Sequence, residues 1–221
     1  MLNEEQVHRF KTFGFVIMRC VFTKDELKTI QSEFDRRAAE ASSYEPFDGT
    51  KWHSFNMMGE GTPFFASLME DPRFAESAEA VFSQVLGQTA AANRYVANTS
   101  WHTDSGAHEA AGVKFAMYLQ PVRADTGALR VIPGSHKRPW FDELDERPPL
   151  RYAWARQNFA GAEVPEVIDS IPGFACESDP GDVVAFDERL WHASLGGSGD
   201  RHTCDITYWN YPRTPQGVAA I

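Results

Sequence analysis

The feature that most constrains this chain is a change of hydrophobic period near Gly87. Before it, apolar residues recur every three or four positions; after it, they alternate within short segments separated by Gly and Pro. Asn3 can cap a first helix, with Glu4 and Glu5 at the positive end of its dipole, Val7 and Phe10 inward and Gly14 as the stop. Phe15-Val16-Ile17-Met18 then reads as a short strand. Thr23-Lys24-Asp25-Glu26 is a capping box, and Leu27, Ile30, Phe34 and Ala38 form a stripe, so the spacing predicts an amphipathic helix over about 23–41. Residues 42–63 carry Pro46, Gly49, Gly59 and Gly61 and read as irregular. Asp71-Pro72 opens another helix, which Phe74, Ala78, Val81 and Val85 carry to Gly87.

Beyond Gly87, residues 114–120, 128–132, 182–186 and 202–211 read as strands between turns such as Pro133-Gly134 and Pro180-Gly181-Asp182. Helices followed by many short strands predict an α+β chain whose second half is a β-sandwich or jelly roll. The 221 residues suit one domain, with 1–87 as mainly helical support and 88–221 as the β core. Residues 137–179, with Trp140, Phe141, Tyr152, Trp154 and Phe159, exceed a turn and form an insertion, either a lid or helices packed outside the sheet.

Composition narrows the function. With 43% hydrophobic, 24% charged and 13% aromatic residues, the chain is neither disordered nor fibrous. A net charge of −10 opposes any broad hold on nucleic acid or anionic lipid, so a small-molecule substrate is expected, with no nucleic-acid or membrane partner. No apolar run approaches a membrane span, and Met1-Leu2-Asn3-Glu4-Glu5 lacks the layout of a secretory signal, which points to the cytoplasm. Cys20, Cys176 and Cys204 are odd in number and widely spaced, the pattern of reduced thiols.

The chemistry centres on His102 and Asp104. If their segment is extended, alternate side chains share a face and both can grip one metal ion. His192, after the strand opened by Pro180-Gly181-Asp182, is the best third ligand. Two histidines and a carboxylate on one triangular face leave half of an octahedral site open, the arrangement of non-haem iron(II) oxygenases. The run Gly196-Gly197-Ser198-Gly199-Asp200 reads as a hairpin turn. A two-residue turn sets Arg201 opposite His192 and a four-residue turn sets it opposite Ser194; either puts the arginine on the metal's face, and an odd turn aims it outward. There its planar fork suits a carboxylate. His136 reads as a turn residue satisfied by backbone groups. Trp101 and Trp191 read as packing around a dry site, His108 and Glu109 as residues at its entrance, and Asn93, Arg94, Tyr95 and Thr99 as candidates for further contacts. A non-catalytic jelly-roll binding module and a zinc-dependent hydrolase are the competing readings.

Taken together, Trp101-His102-Thr103-Asp104, Asp125-Thr126-Gly127-Ala128-Leu129, Ile132-Pro133-Gly134-Ser135-His136, Pro180-Gly181-Asp182 and His192-Ala193-Ser194 with Arg201 resemble the phytanoyl-CoA dioxygenase family of iron(II)- and 2-oxoglutarate-dependent oxygenases. The resemblance runs from Gly14-Phe15-Val16 to the final strand. It implies a double-stranded β-helix, or cupin-like jelly roll, with the N-terminal helices packed on one sheet. It implies that His102, Asp104 and His192 bind Fe(II) and that Arg201 with Ser194 binds the distal carboxylate of 2-oxoglutarate. With O2 as oxidant, 2-oxoglutarate would be decarboxylated to succinate. Relatives that halogenate lack the carboxylate, so Asp104 favours hydroxylation or another halide-free oxidation. The short chain and its acidity argue against an acyl-CoA substrate; a small metabolite or a natural-product intermediate, sugar-containing and hydroxylated or oxidatively cyclised, is expected instead.

Overall fold

The fold was obtained as a computed structural model that describes residues 1–50, 52–105, 107–146, 171–197, 199–212, 214, 215 and 218. Helix α1 spans Glu4–Phe13 and begins at a reciprocal cap: the Asn3 side chain accepts from the Gln6 N–H, while the Gln6 side chain accepts from the Asn3 N–H. It stops at Gly14, whose φ of 85° is a left-handed conformation that glycine adopts without strain. Strand β1 (Phe15–Met18) follows at once. Helix α2 covers Lys24–Tyr44 behind the Thr23/Glu26 box and runs a few residues beyond the predicted end.

The stretch expected to be irregular contains β2 (His53–Asn56), then α3 (Pro63–Ser67) and a short 3₁₀ turn, Leu68–Glu70. Helix α4 (Pro72–Phe82) starts at the Asp71 cap as expected but ends earlier than Gly87. Ser83 turns the chain with φ 66°, and Val85 begins β3 (Val85–Tyr95). The four-residue step from Val81 to Val85 looks helical because both residues bury against the same core from different elements.

The remaining strands are β4 (Thr99–His102), β5 (Gly112–Tyr118), β6 (Leu129–Val131), β7 (Phe174–Ala175), β8 (Val183–Asp187), β9 (His192–Ser194) and β10 (Arg201–Asn210), with helix α5 (Trp140–Asp145) before β7. They form a six-stranded sheet ordered β1-β8-β5-β10-β3-β2 and a four-stranded sheet ordered β4-β9-β6-β7. Every pairing is antiparallel, and residues of both sheets line one cavity, as a jelly roll requires. Of the 137–179 insertion, residues 147–170 lie outside the described residues, and so does the central part of the expected lid. Among the described residues no helix is long and apolar enough to cross a membrane.

The middle of the larger sheet, β8, β5 and β10, is largely buried on both faces, and its alternation sorts two kinds of side chain. From β5, Val113, Phe115 and Met117 join the helical core, while Lys114, Ala116 and Tyr118 face the cavity. From β10, Cys204, Ile206 and Tyr208 join that core, while Arg201, Thr203 and Asp205 face the cavity. The helices therefore give the sheet its apolar backing, with Phe34, Phe65 and Phe74 fully buried against it, and free the other face for polar chemistry.

One buried carboxylate ties the helices together. Glu33 on α2 is 4% exposed, and its two oxygens accept the N–H groups of Phe64 and Phe65 at 3.0 and 2.8 Å. These are first-turn donors of α3, which Thr62 leaves without a side-chain cap. Glu33→Ala is expected to cost about 2 kcal/mol, because two buried donors lose a charged acceptor, and Glu33→Gln roughly half of that. Urea denaturation midpoints check this; a change under ~0.5 kcal/mol, the usual surface value, contradicts it.

Candidate metal centre

The two histidines meet because their strands do. β4 and β9 are adjacent and antiparallel, with His102 directly opposite His192, so their rings share a face at 4.2 Å between centroids. Each ring is oriented by its own backbone: His102 Nδ1 lies 2.7 Å from the Ser100 carbonyl and His192 Nδ1 lies 2.8 Å from the Leu190 carbonyl. A carbonyl only accepts, so both Nδ1 atoms carry the proton and both Nε2 lone pairs are free for a metal. Asp104 completes the triangle. Its Oδ1 is 3.6 Å from Nε2 of His102 and 3.6 Å from Nε2 of His192.

The sequence-based picture of an extended His-x-Asp segment holds only as far as His102, where β4 ends. Asp104 sits in the following turn, which is pinned by the Glu188 carbonyl accepting the N–H groups of Asp104 and Ser105 at 2.9 and 3.0 Å. Its carboxylate faces inward, with a side-chain exposure of 20%. Burial opposes its ionisation, but the Lys114 ammonium and the two neighbouring imidazoles outweigh that and hold the carboxyl well below its usual range. Burial and the neighbouring His102 push His192 down, towards the neutral form a metal needs. Among the described residues these three alone form a group whose ligand atoms all lie within 4.8 Å of one another. Two neutral imidazoles and one carboxylate fit a divalent ion with positions left open.

Arg201 faces the same cavity by a route the sequence reading misjudged. Strands β9 and β10 are not partners in a hairpin. β9 pairs with β4 and β6 in the small sheet, whereas β10 pairs with β3 and β5 in the large one, so the loop crosses between sheets and Arg201 stands opposite Tyr95. Neither predicted register occurs, because a glycine run marks a turn without saying which sheet the next strand joins. The guanidinium is nonetheless inside: Arg201 is 4% exposed, and its Nε, Nη1 and Nη2 have no hydrogen-bond partner among the described residues. Burial pulls its pKa down, against the pull of Tyr118 and Tyr95. Two glycines make its room. A Cβ on Gly127 would lie 2.7 Å from Arg201 Nε, and one on Gly197 would lie 1.6 Å from Nη1.

Ser194 lines the cavity too, but its hydroxyl donates to the Gly127 carbonyl at 2.7 Å, bracing the glycine beside Arg201. Tyr95 and Thr99 also line it. Asn93 reaches it only through Asp205, to which it donates at 2.9 Å, and Arg94 points the other way, paired with Asp200. Trp101 and Trp191 lie in an apolar cluster with Ile132, Ala193 and Leu195, as packing. His136 stands outside the metal group; it is 5% exposed, and its Nδ1 has no partner among the described residues, so backbone groups satisfy it less fully than expected. His108 packs its ring on Phe141, and Glu109 pairs with Arg138.

Sequence reasoning missed Lys114, partly buried, and Asp205, buried, both on the cavity face. For Lys114 the signal was present, since it is the one charged residue of the strand Gly112–Tyr118; Asp205 was masked by the other polar residues of its strand, Arg201, His202 and Thr203.

A phytanoyl-CoA dioxygenase (PhyH) family model matches residues 10–203, which is most of the chain. The chain belongs to the phytanoyl-CoA dioxygenase family. Among curated proteins it is 22% identical to an ectoine dioxygenase of Bordetella bronchiseptica over 160 residues, 62% of this chain. It spans about half, 50%, of that relative's length. Among solved structures, HygX from Streptomyces hygroscopicus, with nickel and 2-oxoglutarate bound, superposes with a TM-score of 0.71 at 21% identity, over 96% of this chain and 88% of that one. SnoN, a non-haem α-ketoglutarate-dependent epimerase from nogalamycin biosynthesis, gives 0.68 at 17% identity, over 94% and 82%. The family's fold is thus shared while most side chains differ.

Glu188 makes the site's electrostatics measurable. It is 6% exposed, and burial pushes its pKa up from 4.5 to about 7, with Lys114 opposing and Asp104 and Asp187 adding. A raised folded pKa means stability present at low pH is lost as pH climbs from 4.5 to about 7. In metal-free protein, Glu188→Gln should therefore be near neutral at about pH 4.5 and stabilising by on the order of 2 kcal/mol at about pH 8. Urea midpoints at both pH values test it; an equal effect at both contradicts it.

Proposed function

We propose that the protein is an iron(II)- and 2-oxoglutarate-dependent dioxygenase that oxidises a small metabolite or natural-product intermediate. The observation that carries this reading is the buried Arg201 guanidinium, without a hydrogen-bond partner among the described residues, in the cavity that also holds the His102, Asp104 and His192 triangle. A buried cation without a partner costs several kcal/mol, and a ligand carboxylate reaching it would offset that. A co-substrate able to meet both the metal and the arginine has to be a dicarboxylate or its equivalent.

When bound, an iron(II) ion held by His102, Asp104 and His192 supplies the redox chemistry linking O2 to oxidation of the substrate. For hydroxylation the balance is substrate C–H, O2 and 2-oxoglutarate giving C–OH, succinate and CO2. Arg201 donates paired, charge-assisted hydrogen bonds to the distal carboxylate, and Ser194 adds a donor if its hydroxyl turns from Gly127. Leu129 and Phe186 line the same cavity and keep water from its walls. The backbone carbonyls of Ser100 and Leu190 keep both imidazoles in the ligating tautomer.

The substrate class draws on different support. A net charge of −10 leaves little attraction for a coenzyme A thioester despite the family's name. The likeness to SnoN, an enzyme of natural-product biosynthesis, favours a substrate of that kind, with a sugar-containing molecule first among candidates.

Anaerobic addition of Fe(II) and 2-oxoglutarate should give a weak visible charge-transfer band that His102→Ala abolishes. In a screen of candidate metabolites, the true substrate should stimulate succinate release. Arg201→Ala should raise the apparent KM for 2-oxoglutarate at least tenfold, the loss of ~1.4 kcal/mol or more for a charge-assisted pair. No band, or one that persists in His102→Ala, defeats the assignment.

A further inference from the structure

We propose that Lys114 is a positioning residue that reserves a single oxygen of Asp104 for the metal by occupying the other. The inference rests on the reading of the site as a 2-oxoglutarate-dependent iron centre. Lys114 lies on the cavity face of β5, and its Nζ stands 2.7 Å from Asp104 Oδ2. Oδ1 is the oxygen turned to both histidines, 3.6 Å from each Nε2. The two oxygens of one carboxylate are thus divided between a cation of the protein and the metal position. The main chain of Asp104 is fixed as well, through its N–H on the Glu188 carbonyl at 2.9 Å. With one end held by the backbone and Oδ2 held by the ammonium, Oδ1 has little freedom.

The two side chains are shielded from most solvent. Lys114 and Asp104 have side-chain exposures of 22% and 20%, and Asp205 and Glu188 also act on the ammonium. A cation beside a dication site repels the metal, so on charge alone it weakens binding. Coordination arithmetic gives the compensating gain. Two imidazoles and one oxygen occupy about half of an octahedral shell, leaving room for a chelating keto acid and one further ligand. If Asp104 turned both oxygens to the metal, the keto acid would compete with it for the remaining positions.

The test compares the parent with Lys114→Met, and with Lys114→Leu in case the first does not fold, using Co(II) and 2-oxoglutarate as probes. Co(II) affinity and its visible d–d spectrum are read first, then 2-oxoglutarate affinity of the Co(II)-loaded protein by calorimetry. The expected result is Co(II) held at least as tightly as in the parent, an altered d–d spectrum, and 2-oxoglutarate affinity lowered fivefold or more. A variant that folds but loses Co(II), or whose 2-oxoglutarate affinity falls less than fivefold, overturns the proposal. If the Co(II)-loaded parent itself does not take 2-oxoglutarate, the dioxygenase reading fails, which separates the two failures.

Discussion

A guanidinium removed from water and left without a hydrogen-bond partner among the described residues is the feature on which this site depends. Arg201 is 4% exposed, its three nitrogens are unpaired among the described residues, and glycines at 127 and 197 leave it the space a side chain would fill. Such a group is costly in the free protein. The arrangement makes sense if the free energy is recovered when an anion arrives, and the metal triangle in the same cavity says what the anion's other end must do. Preorganisation of this kind spends stability in the empty state to gain orientation in the bound one.

The fold makes that expense tolerable. The central strands of the large sheet are largely buried on both sides, so alternate residues of β5 and β10 serve opposite needs: Phe115 and Ile206 join the helical core while Lys114, Asp205 and Arg201 face the cavity. The helices α1, α2 and α4 supply apolar burial, each entered through a side-chain cap at Asn3, Thr23 or Asp71. Glu33 then joins α2 to α3. Stability resides on one side of the sheet and chemistry on the other.

What the amino-acid sequence disclosed follows the range of the forces involved. Helix starts at Asn3, Thr23 and Asp71 and the strand at Phe15–Met18 are local, written in caps and short periodicities, and they are found where expected. The convergence of His102, Asp104 and His192 was legible because the first two are near neighbours and the third follows a recognisable strand. Features decided by partners distant in the chain were not legible. Val85 continues a helical spacing yet pairs with Asn210 in a strand, and the glycine run before Arg201 leads to the opposite sheet instead of a hairpin. Lys114 was legible as a lone charge in an apolar strand, but its partner was not: Asp104 lies on a turn that only the fold brings within 2.7 Å.

The account stands or falls on whether the cavity reads both ends of its co-substrate. Calorimetric titration of the Ni(II)-loaded protein with 2-oxoglutarate and with 2-oxobutyrate, which has the same keto-acid head but no distal carboxylate, measures this directly. The account predicts that 2-oxoglutarate binds at least ~100-fold more tightly, the worth of a buried charge-assisted pair of ~3 kcal/mol. Equal affinity for the two would contradict it.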